Sequence, residues 1–334
     1  METNAFTLLD GAMGTMLQRA GLELGARPET LCLTAPEVVA DIHRQYIAAG
    51  SQIVYANTFG ANRHKLAGTG HSVREVVAAA VDVARTAAAG QAKVALDIGP
   101  TGELLAPLGT LDFEEAVSLF REMAEAGSQA DLVVIETMAD LYEAKAALLA
   151  VKEVLDVPVI VTMTFEGNGR TFTGCSVPAM AVTLEALGAS AIGFNCSLGP
   201  RELYPLMEEL REWTSLPLAI KANAGLPDPE TGAYTIGPAD FAQTLAPFVD
   251  LGVTLFGGCC GTDPQFIRAV AAMLADKQPV PRQGIPRRGL CGPGQVVELG
   301  GVRVIGERLN PTGKKRLQQA LREGTLRGPE YLLV

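Results

Sequence analysis

The chain has 334 residues, 48% of them hydrophobic and 19% charged, enough apolar surface for one large domain or two ordinary ones, so intrinsic disorder is excluded. Its 27 Lys plus Arg against 37 Asp plus Glu leave a net charge of −10, which repels a phosphate backbone and argues against nucleic acid as a partner. The charge is uneven: residues 279–334 hold 10 basic and 4 acidic side chains, so a body of −16 carries a basic extension of +6.

Met1-Glu2-Thr3-Asn4 opens without the basic and apolar regions of a signal peptide. No apolar run approaches the ~18 residues a membrane span needs, so the reading is a cytoplasmic protein with no membrane partner. Six cysteines are too few for a disulfide scaffold, which leaves metal binding or reactivity where they cluster.

In chain order, short β-branched runs alternate with Ala-rich helical stretches. The first pair is Phe6–Asp10 with Pro36–Ala49; then come Gln52–Ala56 with 72–89, Lys93–Ile98 with 112–127, and Leu132–Glu136 with 139–155. Pro158–Met163 with 178–188, Ala191–Asn195 with 200–213, Pro217–Ala222 with 237–250, and Val253–Gly257 with 264–276 complete eight β-then-α units. Near-continuous apolar strands such as Leu132-Val133-Val134-Ile135 imply burial on both faces, as a helix-covered parallel sheet requires. Eight units in residues 1–278 predict an α/β fold, a closed (β/α)8 TIM barrel. An open doubly wound sheet is the rival, but no Gly-x-Gly-x-x-Gly follows the first strand.

Residues 279–295 read as a linker, with 8 Pro or Gly among residues 279–294. Residues 296–334 then read as a C-terminal extension that opens a further domain: strand-like Val296–Leu299 and Val302–Ile305, the run Gly306-Glu307-Arg308-Leu309-Asn310-Pro311-Thr312-Gly313, and a helix over Lys314–Glu323.

Three cysteines fall at strand ends on one side of the expected barrel: Cys196 after strand 6, and Cys259 and Cys260 after strand 8. Barrel enzymes place their active sites on that face. Three thiolates suit Zn²⁺, and three protein ligands with an open fourth position are the arrangement of catalytic zinc. Gly257, Gly258 and Gly261 are expected to bend the chain so that both neighbouring cysteines reach one ion. Cys32, Cys175 and Cys291 lie outside the pattern; Cys175, on the loop after strand 5, could close the shell and make the zinc structural. His43, His64 and His71 fall away from strand ends and read as solvated or helix-packing residues. Glu136 ends an otherwise apolar strand at the same face, where a buried unpaired carboxylate is costly and therefore points to function.

Gly193-Phe194-Asn195-Cys196 and Gly257-Gly258-Cys259-Cys260-Gly261, with the opening Leu9-Asp10-Gly11-Ala12-Met13-Gly14-Thr15, resemble the zinc-dependent homocysteine S-methyltransferase family over roughly residues 5–278. The resemblance implies a barrel that binds zinc through Cys196, Cys259 and Cys260 and takes the thiolate of L-homocysteine as incoming ligand. It also implies that Asp10 and Gly11 belong to the substrate-binding turn, that Glu136 holds the substrate ammonium, and that Asn223 sits near the metal before homocysteine arrives. Asn57, Thr58 and Ser197 are further substrate-binding candidates at strand ends.

The run at 306–313 is similar to the start of pterin-binding methyltetrahydrofolate methyltransferase domains, which follow a homocysteine barrel in the cobalamin-dependent methionine synthases. No Asp-x-His-x-x-Gly motif is present. The resemblance implies a first module of a larger enzyme, or a short relative whose corrinoid- and folate-binding modules lie on other chains. The expected reaction is methylation of homocysteine to L-methionine, with methylcobalamin on a partner module as donor and methyltetrahydrofolate as ultimate methyl source. The alternatives are another donor, such as S-methylmethionine or betaine, another acceptor, or a non-catalytic corrinoid-protein scaffold with structural zinc.

Overall fold

A computed structural model describes residues 5–22, 25–226, 234–282, 286–292, 294–301 and 315–324. Eight parallel strands form the barrel: β1 (Thr7–Leu8), β2 (Ile53–Tyr55), β3 (Lys93–Ile98), β4 (Leu132–Met138), β5 (Val159–Met163), β6 (Ala191–Asn195), β7 (Leu218–Ala222) and β8 (Val253–Gly258). They pair in the order β1-β8-β7-β6-β5-β4-β3-β2. The seam between β1 and β2 is bridged by Gln52, whose N–H donates to Leu8 O at 2.8 Å and whose Oε1 accepts from Leu8 N at 2.9 Å. The expected TIM barrel is what the chain forms.

The period of two in each strand divides the core. Residues facing inward, among them Leu9, Tyr55, Ala95, Val134, Ile160 and Leu255, fill the barrel interior. Outward residues pack under the helices. In α5 (Val73–Ala88), Val73, Val76, Val77, Ala80, Val81, Ala84 and Ala88 recur at three- and four-residue steps and are buried. Ser72 and Glu75 close a capping box at its start, satisfying two N–H groups the helix cannot pair itself. The other helices that cover the barrel are α3 (Pro36–Ala48), α6 (Phe113–Ala126), α7 (Leu141–Val154), α8 (Val177–Ala186), α9 (Pro200–Trp213), α10 (Pro238–Leu245) and α11 (Pro264–Leu274). Four of these, α3, α9, α10 and α11, begin with proline, the first position where its missing N–H costs nothing.

The strand expected at Phe6–Asp10 has only two regular residues, because past Leu8 its neighbours are β8 on one side and side chains on the other. Leu9 N donates to Phe256 O at 2.8 Å, whereas Asp10 meets β2 through its carboxylate. Short helices α1 (Met13–Arg19), α2 (Leu31–Thr34) and α4 (Arg63–Leu66) were not legible from pattern. α1 buries only Leu17 and is tied down by Arg19 to Asp263 at 2.6 Å, a contact 244 residues away.

The stretch 279–295 carries a strand, β9 (Gly289–Cys291), which pairs antiparallel with β10 (Val296–Glu298). Both belong to a compact unit that ends at Glu298, and Leu299–Val334 forms a second unit with α12 (Lys315–Glu323). The strand expected at Val302–Ile305 and the run 306–313 lie outside the described residues. Among the described residues no helix is long and apolar enough to cross a membrane.

His43, on α3, is fully buried with neither ring nitrogen hydrogen-bonded among the described residues, and burial pushes its pKa from 6.5 down to about 4. Between those values the unfolded chain binds the proton and the folded chain does not. Stability therefore falls as pH drops from 6.5 toward 4, by up to about 3 kcal/mol from this group. In His43→Leu that share of the acid loss is expected to vanish, as read from urea midpoints across the window; equal losses in both proteins would rule His43 out.

Candidate metal centre and substrate cavity

β7 lies between β6 and β8 in the sheet and splints the two cysteine loops together. Cys196 N donates to Lys221 O at 3.2 Å, Cys259 N to Ala222 O at 2.8 Å, and Ala224 N to Cys260 O at 3.0 Å. The sulfurs of Cys196, Cys259 and Cys260 all lie within 4.8 Å of one another, and those of Cys196 and Cys260 are 3.7 Å apart. Tetrahedral bonds of ~2.3 Å to one zinc ion put two sulfurs about 3.8 Å apart, so the spacing fits a single ion. Of the three glycines expected to bend this loop, only Gly261 has a left-handed backbone, with φ of +80° and Tyr234 packed against it. Gly258 is there for close approach: a Cβ would stand 2.4 Å from Thr262 Oγ1.

The thiols are free. Hydrogen bonds from Cys196 and Cys259, joined by one from the Tyr234 hydroxyl, push the Cys260 thiol down to about 3. Hydrogen bonding to Cys196 and Cys260, together with burial, raises Cys259 well above its ordinary value. The bond from Cys259 lowers Cys196, but its bond to Cys260 and burial raise it to about 11, so the negative charge of the metal-free cluster falls on Cys260, a soft ligand suited to a soft cation. Asn223, next to Ala224, is buried, and its Oδ1 has no partner among the described residues.

The cysteines open into a cavity of about 250 Å³ that Asp10, Tyr55, Asp97, Glu136 and Lys221 also line. Lys221 is 4% exposed and reaches Asp10 Oδ1 at 3.0 Å and Glu136 Oε2 at 3.8 Å. Its Nζ lies 3.5 Å from the centre of the Tyr55 ring, within cation–π range. In the strand ladders Lys221 sits beside Asn195 and Gly257. A Cβ on Gly257 would fall 3.0 Å from Lys221 Cγ, so the missing side chain is the room that the lysine stem takes. Burial pulls Lys221 down, but Asp10 and Glu136 hold it well above the usual lysine value. Burial raises Asp10 and Glu136 in spite of Lys221, because one cation serves several carboxylates.

Asn195 ties this charge network to the metal ligands. Its Oδ1 accepts from Thr137 N and Thr162 Oγ1, both at 2.8 Å. Its Nδ2 donates to Thr137 Oγ1 at 2.7 Å and reaches Glu136 Oε2 at 3.5 Å and Cys259 Sγ at 3.9 Å. Thr137, Cys196 and Ser197 hold left-handed backbones with φ of 61°, 60° and 55°. Such conformations persist where neighbours over-determine them and concentrate at functional sites. Thr137 lies at the irregularity in β4 and Cys196 just past the end of β6, and Glu136 and Cys196 line the same cavity.

Of the residues expected from sequence, Cys196, Cys259, Cys260, Asp10, Gly11, Glu136 and Asn57 line the cavity. Asp10 is fully engaged: Oδ1 faces Lys221 and Oδ2 accepts from Tyr55 N at 2.7 Å. Asn57 donates to Pro28 O at 2.8 Å. The Thr58 hydroxyl is directed away, donating to Asp97 O at 2.7 Å, and Ser197 Oγ meets Thr164 Oγ1 at 2.5 Å outside the cavity lining. Cys175 is buried with its sulfur 3.3 Å from Ser176 O and is not in the cysteine cluster. Sequence reasoning missed Asp97, Asn195, Lys221 and Tyr234. For Asp97 and Lys221 the signal was present: a charged side chain at an inward position of an apolar strand.

Among solved structures, the fold is similar to the homocysteine methyltransferase MmuM from Escherichia coli. Its oxidized form gives a TM-score of 0.71 at 23% identity, over 80% of this chain and 95% of that one. Its metallated form gives 0.69 at 24% identity, over 80% and 96%. Methionine synthase from Mycobacterium tuberculosis is 32% identical over 341 residues, and that from Mycobacterium leprae 33% over 349. Each alignment covers 93% of this chain but only 28% of the relative, so the chain spans little more than a quarter of those proteins. Residues 7–274, the whole barrel, match the homocysteine S-methyltransferase family, and the chain belongs to that family.

Proposed function

We propose that the chain methylates L-homocysteine to L-methionine, with Zn²⁺ held by Cys196, Cys259 and Cys260. The observation that carries this reading is the three-sulfur cluster opening into a cavity that also presents buried carboxylates. When bound, zinc supplies a way to hold the substrate sulfur as thiolate at neutral pH without a strong base. The remaining work belongs to the protein. Glu136 pairs with the ammonium and fixes which way the sulfur points; Asn195 aims Glu136; Asn223, with its unpartnered Oδ1, stands beside the cysteine loops before substrate enters. Methyl transfer needs the donor carbon within roughly 3–3.5 Å of sulfur and in line, which the walls of the barrel mouth arrange.

The cavity of about 250 Å³ has room for an amino acid and none for a corrin ring, so a cobalamin donor would approach from outside the barrel. Methylcobalamin on another module is the donor we favour, supported by the named methionine synthase relatives and by the likeness of residues 306–313 to pterin-binding domains. Folate- and corrinoid-binding modules are then the partners, with methyltetrahydrofolate as methyl source. The scaffold alternative needs a closed shell, and Cys175 is outside the cluster.

The test is to supply the zinc-loaded protein with L-homocysteine and free methylcobalamin, then S-methylmethionine and betaine, and to measure methionine by mass spectrometry. Methionine from methylcobalamin supports both acceptor and donor; methionine from another donor corrects the donor; none from any overturns the function. Glu136→Gln is expected to raise KM for homocysteine about tenfold to a hundredfold, since it removes a buried charge pair. Zinc content should not change. An unchanged KM would remove Glu136 from the site.

A further inference from the structure

Three ligand thiolates and an acceptor thiolate around one zinc ion are four sulfurs, and a methyl donor can react with any of them. Attack by a ligand would form a carbon–sulfur bond on the cysteine, return the bonding pair to the departing donor, and leave a neutral thioether where a thiolate held the metal. Burial does not prevent this, since Cys196, Cys259 and Cys260 are all partly exposed. Each of the three sulfurs, however, receives a hydrogen bond from outside the cluster. Asn195 Nδ2 lies 3.9 Å from Cys259 Sγ, and the amide cannot be turned round, because its Oδ1 accepts at 2.8 Å from Thr137 N, a group that only donates. The Tyr234 hydroxyl donates to Cys260, and the Ser197 N–H to Cys196. Bonds among the thiols themselves end when zinc displaces their protons, and these three donors remain.

The main chain places Tyr234 for this contact. Ile236 N donates to Ala224 O at 3.3 Å and Ala224 N to Cys260 O at 3.0 Å, so the tyrosine segment and the cysteine loop hang from the same residue. The ring lies on Gly261, where a Cβ would stand 2.3 Å from Tyr234 Cγ, and the left-handed φ of +80° there also favours glycine. We infer that Tyr234 and Asn195 protect the ligand sulfurs of Cys260 and Cys259 from methylation, so that the methyl group passes to the acceptor sulfur; this rests on the zinc and homocysteine reading above. The physical reason is that sulfur gives up negative charge as the new bond forms, so a hydrogen bond stabilises the thiolate more than the transition state. Thiolate nucleophilicity falls as the sulfur is stabilised in this way, and outer partners of a metal site act on its ligands. Both residues are positioning groups that work through a cysteine and touch neither substrate nor metal.

The test treats zinc-loaded wild type and Tyr234→Phe with methyl iodide in the absence of homocysteine, and follows methylation of each cysteine by peptide mass spectrometry alongside zinc content. Phenylalanine keeps the ring on Gly261 and removes only the hydroxyl. Cys260 should methylate about tenfold faster in Tyr234→Phe, the scale of one hydrogen bond to a charged group. Cys291, exposed on β9, should react equally in both proteins and serves as the reference. Asn195→Ser should expose Cys259 in the same way, and carries the comparison if Tyr234→Phe fails to fold. Zinc should stay bound until methylation begins. A wild-type rate at Cys260 in zinc-bound Tyr234→Phe overturns the inference while the zinc reading stands. Loss of zinc before any methylation also overturns it, since Tyr234 would then only hold the metal in place. A wild type that takes up no zinc overturns both.

Discussion

Cys259→Ala is expected to lose bound zinc and to lose turnover by more than about a hundredfold, since even outer-shell partners of a metal cost about 10–100-fold when removed. The fold should survive. Cys259 is positioned by its main chain, N–H to Ala222 O at 2.8 Å and carbonyl to Thr262 Oγ1 at 2.7 Å, and the substitution leaves both bonds in place. With the main-chain bonds kept, the metal-free proteins should melt within a few degrees of each other. The wild type alone should gain stability on adding zinc, by the mass action of a ligand that binds only the folded state. Cys175→Ser, remote from the cluster, should keep both metal and activity. Stoichiometric zinc with full turnover in Cys259→Ala would refute the three-cysteine assignment.

The second large effect is on the interior cation. Lys221→Met keeps the length and apolar stem of the side chain but strands Asp10, Glu136 and Asp97 without a counter-charge. Removing one partner of a buried pair costs about 3–5 kcal/mol, because the remaining charge is uncompensated. Adding Asp10→Asn should recover much of that loss, since the amide oxygen still accepts from Tyr55 N and the net buried charge falls. Urea unfolding of the two single variants and the double variant gives the coupling. A loss below about 1 kcal/mol in Lys221→Met would mean that the carboxylates are neutral without it.

The fold was legible because parallel strands buried on both faces write near-continuous apolar runs, such as Leu132–Ile135, separated by helices with their own caps. Elements held by distant contacts were not: α1 depends on Asp263, and β9 on its pairing with β10. The cysteine cluster was legible because strand ends of one parallel barrel must share a face. What stayed hidden is set by neighbours across strands. Asn195 is one residue before a predicted ligand, yet its importance comes from Thr137, Thr162 and Glu136 on β4 and β5. Lys221 and Asp97 were each visible as charge in an apolar strand, but only the closed barrel shows that they face one cavity. Thr58 and Ser197 sit at strand ends as expected, and their hydroxyls are engaged with Asp97 and Thr164.

The central claim is that three cysteines leave one metal position for the acceptor sulfur. It is tested most directly by zinc content together with X-ray absorption at the zinc edge, with and without L-homocysteine. The account predicts one zinc per chain, with three sulfur ligands and one lighter ligand before substrate and four sulfurs after it. No zinc, or an unchanged shell of four sulfurs, would contradict it.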